Sequence, residues 1–208
     1  MKALAAAVFL VSVTAFSSSD KSGKAEPTAT GASSTVGLSS ATKNAAKKYL
    51  EKFIADNNIP GVLIQVTTST GSWSQALGNA NKSPSTPMSM DLQHRIGSVT
   101  KTFTTTLILQ LAQEGKLSLD DPVSKFVPGV PNGDKITLRM LGNMTSGLRE
   151  YLANAEFRNT FFKDTSRTWK PHELLDASYK QGPQFAPGTN SDYSNANTVL
   201  LGLVVERV

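Results

Sequence analysis

The chain of 208 residues has no cysteine and only two histidines, His94 and His172. The first absence removes a disulfide framework, thiol catalysis and cysteine-held metals together. The second leaves two imidazoles far apart in the chain, in no ligand pattern such as His-Glu-x-x-His, so neither a metal nor another cofactor is expected. His94 reads as packed beside a strand, and His172 as a first-turn residue of a helix opened by Pro171. Charge of one sign is never concentrated: 21 Lys and Arg against 16 Asp and Glu leave +5, scattered rather than striped. That distribution argues against a nucleic-acid partner.

A run long enough to span a membrane is also missing. The most apolar stretch, "ALAAAVFLVSVTAF" from Ala3 to Phe16, has 14 residues, against the ~20 a spanning helix needs. Preceded by Lys2 and followed by small polar residues, it reads as a secretion signal over 1–17, which predicts an exported protein, periplasmic or extracellular. No cysteine follows it, so lipid modification is excluded. Ser, Thr, Gly and Ala dominate the next residues, and 18–40 read as a disordered tether. The remainder, 41–208, reads as one domain and a monomer.

Within it, Ala41 to Asn57 has helical spacing at Ala45, Ala46, Tyr49, Leu50 and Phe53, with Ser40 as N-cap. "PGVLIQVTTSTGSWSQALGNAN" predicts a hairpin, residues 81–90 a loop, and a short strand then leads to Gly97. The next helix opens at Ser98 and closes before Gly115. It is apolar nearly all round, with Val99, Phe103, Leu107 and Leu111 on one stripe widened by Ile108, Leu109 and Ala112, which predicts a central buried helix. "LSLDDPVSKFVP" and "ITLRMLGNMTSGL" predict short helices, "WKPHELLDASYKQ" another, and "PQFAPGTNSDYSNANTVLLGLVVERV" a loop feeding a last one. Strands in one region and helices in the rest make an α+β domain, with helices packed on an antiparallel sheet.

Lys101 is out of place in this pattern. The first turn of a helix exposes unpaired N–H groups and the positive end of its dipole, where a cation costs a few tenths to about 1 kcal/mol. Residues i and i+3 share a face, so Lys101 reaches Ser98. A serine hydroxyl is a weak nucleophile until its proton is taken, and a neighbouring amine helps to activate it. The helix N-terminus and the Ser98 N–H suit a developing oxyanion. Ser-x-x-Lys alone is a loose pattern: it recurs at Ser18–Lys21 and Ser40–Lys43. Only Ser98 combines a preceding strand, a flanking glycine and a helix read as buried.

A second constellation is Tyr193-Ser194-Asn195, after Pro187-Gly188. Tyr193 is placed to relay protons beside an ammonium. Asn195 has both an amide donor and an acceptor for a peptide-like substrate. Read singly, Tyr193 could be a packed aromatic and Asn195 a helix cap.

Together, "RIGSVTKTFTTTLILQLAQEGKLSLDDPV", "ITLRMLGNMTSGL" and "FAPGTNSDYSNANTVLLGLVVE" resemble the serine β-lactamase and penicillin-binding family. The likeness is to its class C β-lactamases, soluble D-alanyl-D-alanine carboxypeptidases and related esterases, and it runs from about residue 42 to the end. The resemblance implies Ser98 as the acylated nucleophile, Lys101 as its proton partner, Tyr193 as general base and acid, and Asn195 as holder of the substrate amide. It implies D-Ala-D-Ala peptides or β-lactams as substrates, with carboxypeptidase activity leading, and β-lactamase, esterase, D-amino-acid amidase or a non-catalytic wall-peptide binder as alternatives.

Two departures stand out. Met144 occupies a position where the family usually has histidine. The third motif, Lys- or His-Thr/Ser-Gly on a later strand, is absent after Asn195; Lys21-Ser22-Gly23 lies in the tether and reads as chance. The chain stops at Val208 inside an apolar helical run, so C-terminal strands are expected to be missing. The isolated chain is accordingly expected to be inactive or to aggregate.

Overall fold

The computed structural model describes residues 38–68, 71–81 and 85–208. The expected signal, 1–17, and nearly all of the tether, 18–40, lie outside the described residues. Within 41–208 the structure distinguishes two compact units that meet between Ile96 and Gly97.

In the first unit, helix α1 spans Ser40–Asp56. Its cap is Ser39 rather than Ser40: the Ser39 hydroxyl accepts the Thr42 N–H at 3.1 Å, a one-residue shift of the kind helix ends often show. Tyr49 and Phe53, one turn apart, stack at 6.4 Å between ring centroids, as their spacing favours. The expected hairpin is present as β1, Gly61–Thr68, and β2, Gly71–Asn81, paired antiparallel from Gly61↔Gly78 to Thr68↔Gly71. Gly78 has φ +75°, and a Cβ there would sit 2.4 Å from the Pro60 carbonyl oxygen, so this crossing requires glycine.

Two expectations fail here. The stretch read as a loop contains β3, Thr86–Pro87, which adds to β2 through a bulged register. The strand expected before Gly97 does not form, because a strand needs a paired neighbour and none of the described strands pairs with Arg95 or Ile96. The Nε2 of His94 is buried without a hydrogen-bond partner.

The second unit opens at Gly97, φ +54°, with a 3₁₀ turn over Gly97–Val99 that runs into helix α2, Thr100–Gln113. Gly115, φ +72°, ends it in the left-handed conformation. Then come α3, Leu138–Gly142, capped by Thr137, and α4, Ala155–Lys163, capped by Asn154. Helices α5, Pro171–Tyr179, and α6, Asn195–Arg207, complete it. His172 falls in the first turn of α5, as expected. α4 was not foreseen. Six helices and an antiparallel sheet make the described chain a mixed α/β structure.

The core of this unit gathers on α6. Ala196, Leu200, Leu201 and Val204, on one helical face, are at most 1% exposed. Ile108 of α2, Leu138 and Leu141 of α3, and Leu175 of α5 pack with them. Each large side chain of this kind contributes ~1.5–3 kcal/mol by leaving water.

The expectation that α2 is the central buried helix is overturned. Ile108 is its one buried residue, while Phe103 is 62% exposed, Leu109 51% and Leu107 46%. α6 packs along one side of α2, and Phe103, Leu107 and Leu109 lie on its exposed remainder. An all-round apolar sequence reports how much surface a helix could bury, not how much it is offered.

Candidate active site

Ser98 lies in the 3₁₀ turn and Lys101 is the second residue of α2, so both project from the start of the helix. Lys101 Nζ donates to Ser98 Oγ at 3.2 Å and to Asn195 Oδ1 at 2.5 Å. It also sits over the Tyr193 ring, 4.8 Å from its centroid, within the range of an attractive cation–π contact. The unfavourable position in the first turn is thus offset by two charge-assisted bonds and an aromatic face. The Ser98 and Tyr193 hydroxyl oxygens are 2.6 Å apart, and the Tyr193 hydroxyl donates to Asn195 Oδ1 at 3.2 Å. All four residues singled out from the sequence therefore form one hydrogen-bonded network. Of the two other Ser-x-x-Lys matches, Ser18–Lys21 lies outside the described residues and Ser40–Lys43 falls on α1, away from any such cluster.

Two chain segments deliver Tyr193. The Gly188 N–H donates to the Thr145 carbonyl and the Gln184 N–H to the Gly147 carbonyl, both at 2.8 Å; the Asp192 N–H reaches the Met144 carbonyl at 3.1 Å. Residues 184–192 are thereby laid along 144–147. The approach is so close that a Cβ on Gly147, φ +79°, would fall 2.2 Å from the Phe185 carbonyl oxygen. Met144 itself has φ +64°, a conformation rarely taken by a long unbranched side chain. It is held by Asn197, buried on α6, whose Nδ2 donates to the Met144 sulfur at 3.2 Å and whose Oδ1 accepts the Ser146 hydroxyl at 2.5 Å. At this position a thioether takes part in the local hydrogen bonding.

Asn195 is also tied through its backbone. Its N–H donates to Glu150 Oε2 at 2.6 Å, while Glu150 Oε1 accepts the Leu152 N–H at 3.1 Å. Glu150 was not singled out from the sequence, and no local pattern marks it: the contact spans 45 residues. Tyr151, next to it, is half-buried. Burial first, then the charges of Glu150 and Tyr193, push its phenol up to about 12.

The asparagine amide has a settled orientation. An ammonium can only donate, so the atom facing Lys101 is the oxygen. Both close donors, Lys101 and Tyr193, converge on that oxygen. Of the donor and acceptor expected on Asn195, the acceptor is the one engaged within the network.

Comparison with known proteins gives concordant results. A family model described as Beta-lactamase matches residues 46–208. Protein flp of Staphylococcus aureus (strain N315) is 31% identical over 170 residues, which cover 77% of this chain and 32% of that protein. The solved structure of a D-stereospecific amidohydrolase from Streptomyces sp. superposes with TM-score 0.71 at 37% identity, over 79% of this chain and 48% of that one. A class C beta lactamase structure gives TM-score 0.62 at 30% identity, over 78% and 43%. The chain spans about a third of that curated relative and under half of the two solved structures.

Proposed function

Because this chain belongs to the Beta-lactamase family over residues 46–208, we propose that it carries the acylating half of a serine hydrolase that cleaves an amide next to a D-configured residue. The leading substrates are D-alanyl-D-alanine peptides of the cell wall. The observation that carries this reading is the single network joining Ser98, Lys101, Tyr193 and Asn195.

The chemistry follows from the donors and acceptors. In its phenolate form the Tyr193 oxygen, 2.6 Å from Ser98 Oγ, takes the serine proton, with Lys101 Nζ beside both groups. Ser98 Oγ bonds to the substrate carbonyl carbon, and the oxyanion forms beside the Ser98 N–H and the α2 N-terminus. Collapse breaks the C–N bond, and Tyr193 returns the proton to the leaving nitrogen. Water then attacks the ester, yields its proton to Tyr193, and releases the carboxylic acid with Ser98 reprotonated.

D-Amino-acid amide hydrolysis is a second reading, favoured by the likeness to the Streptomyces D-stereospecific amidohydrolase. A class C-type β-lactamase or an esterase uses the same first step. Release of D-alanine from a dipeptide-terminated substrate, of ammonia from a D-amino-acid amide, and turnover of nitrocefin separate them. Export rests on residues 2–17, and N-terminal sequencing of the mature protein tests it.

The isolated chain was expected to be inactive or to aggregate; the assembled network supports acylation, the step all of these readings share. Incubation with a fluorescent penicillin followed by mass spectrometry should show one covalent adduct on Ser98, absent from Ser98→Ala. A soluble, folded chain that gains no mass in excess reagent would sink the hydrolase reading in favour of a non-catalytic binder.

A further inference from the structure

Asn195 opens α6, and the start of that helix lacks the cap its own sequence offers. Ser194 is the N-cap residue, yet its side chain makes no capping bond, and its hydroxyl is buried without a partner. The first N–H of the helix is met instead by Glu150 Oε2 at 2.6 Å, a carboxylate at the positive end of a helix dipole. The other oxygen, Oε1, takes the Leu152 N–H at 3.1 Å, at the start of the turn Tyr151–Ala153. The Glu150 backbone is held in turn, its carbonyl accepting from Gln181 Nε2 at 3.1 Å. Its neighbour's carbonyl, that of Arg149, accepts the Ser178 hydroxyl at 2.5 Å. One half-buried carboxylate thus bridges two helical starts, and its mount is fixed to α5.

The backbone nitrogen that Glu150 grips belongs to the residue whose side-chain oxygen receives both Lys101 and Tyr193. We propose that Glu150 is a positioning residue for the serine acylation machinery: by clamping the Asn195 N–H it sets the Tyr193–Asn195 turn so that the phenol meets Ser98 and the amide oxygen meets Lys101. This rests on the reading of Ser98 as the acylated nucleophile. It concerns a residue that touches none of the reacting atoms. The raised Tyr151 phenol, which feels the charges of both Glu150 and Tyr193, is a second sign that this carboxylate and the Tyr193 hydroxyl share one electrostatic neighbourhood.

The chain contains four tyrosines, so a carbon-13 label on the ring carbon bearing the hydroxyl gives four resonances. Tyr193→Phe identifies the one that matters. In Glu150→Ala the Tyr193 resonance and its pH dependence should move. The Tyr49 and Tyr179 signals should stay, the latter reporting that the second unit is folded. Acylation by the fluorescent penicillin should fall by about 10²-fold, the scale of a reacting group displaced by about an ångström. Glu150→Gln keeps the shape and one acceptor but neither the second acceptor nor the charge, and should give a smaller change in the same direction. It decides alone if the alanine variant unfolds.

A Tyr193 resonance unmoved in the folded variants overturns the proposal, whatever acylation does. Movement with unaltered acylation in a labelled wild type overturns it as well. If the wild type takes no label, the hydrolase reading fails and the resonance alone decides whether Glu150 sets the turn.

Discussion

α2 and α6 are similarly apolar in sequence, and each opens on residues of the site, yet they are held in unlike ways. α6 buries Ala196, Leu200, Leu201 and Val204 completely or nearly so, and its start is clamped by Glu150. α2 buries Ile108 alone, with Phe103, Leu107 and Leu109 facing solvent. Ser98 therefore leads into the lightly packed helix, and Tyr193 and Asn195 into the deeply packed one. The site is referenced to α6, and α2 is fastened to it at the active end by Lys101. Disturbing the α6 core should cost stability, whereas disturbing the outer face of α2 should cost little.

Lys101→Ala makes the strongest test of that contrast. Acylation should fall by about 10²–10³-fold, the scale on which a preorganised donor beside the reacting groups acts. The thermal midpoint should hardly move, because the removed side chain supports no core. A midpoint that drops in step with acylation would mean that Lys101 holds the fold rather than the chemistry. Next, Leu201→Ala should cost about 2–5 kcal/mol in urea unfolding, as a cavity in a closed core does. Leu107→Ser, on the open face of α2, should stay within about 0.5 kcal/mol. Equal losses at these two positions would erase the distinction between the helices.

The smallest effect is confined to alkaline pH. Tyr151 holds its proton up to about 12 in the folded chain, whereas an unfolded tyrosine loses it at roughly 10. Between those values the unfolded chain binds fewer protons, so stability declines with rising pH; below that window the contribution is complete. Tyr151→Phe should flatten this part of the decline, measured as urea midpoints at pH 10 and 12.

What the sequence made legible, and what it did not, follows the range of the forces involved. Ser98 and Lys101 could be read because i and i+3 place any two residues on one helix face, and Tyr193 and Asn195 because a phenol and an amide in a loop after Pro187-Gly188 match a motif of the resembled family. Hairpin β1–β2 and helices α5 and α6 were legible from period and turn residues. The burial of α2 was not, since it depends on which neighbours arrive. The Ser39 cap was missed for a subtler reason: adjacent serines are equally able caps, and only the path of the chain chooses. α4 carries Phe157 and Phe161 four residues apart on one helical face, with Phe162 beside them, a helical spacing in only nine residues. Its order comes from Trp169, whose ring lies 4.8 Å from that of Phe157. Glu150 was illegible because its partner is a backbone N–H, which every residue but proline possesses.

The doubly engaged oxygen of Asn195 has a consequence for whatever enters the cleft. With Lys101 and Tyr193 occupying that atom's lone pairs, the side chain can greet a visitor only with its amino hydrogens. Under the proposal that Asn195 holds the substrate amide, the group it meets there offers a lone pair, as a carbonyl does.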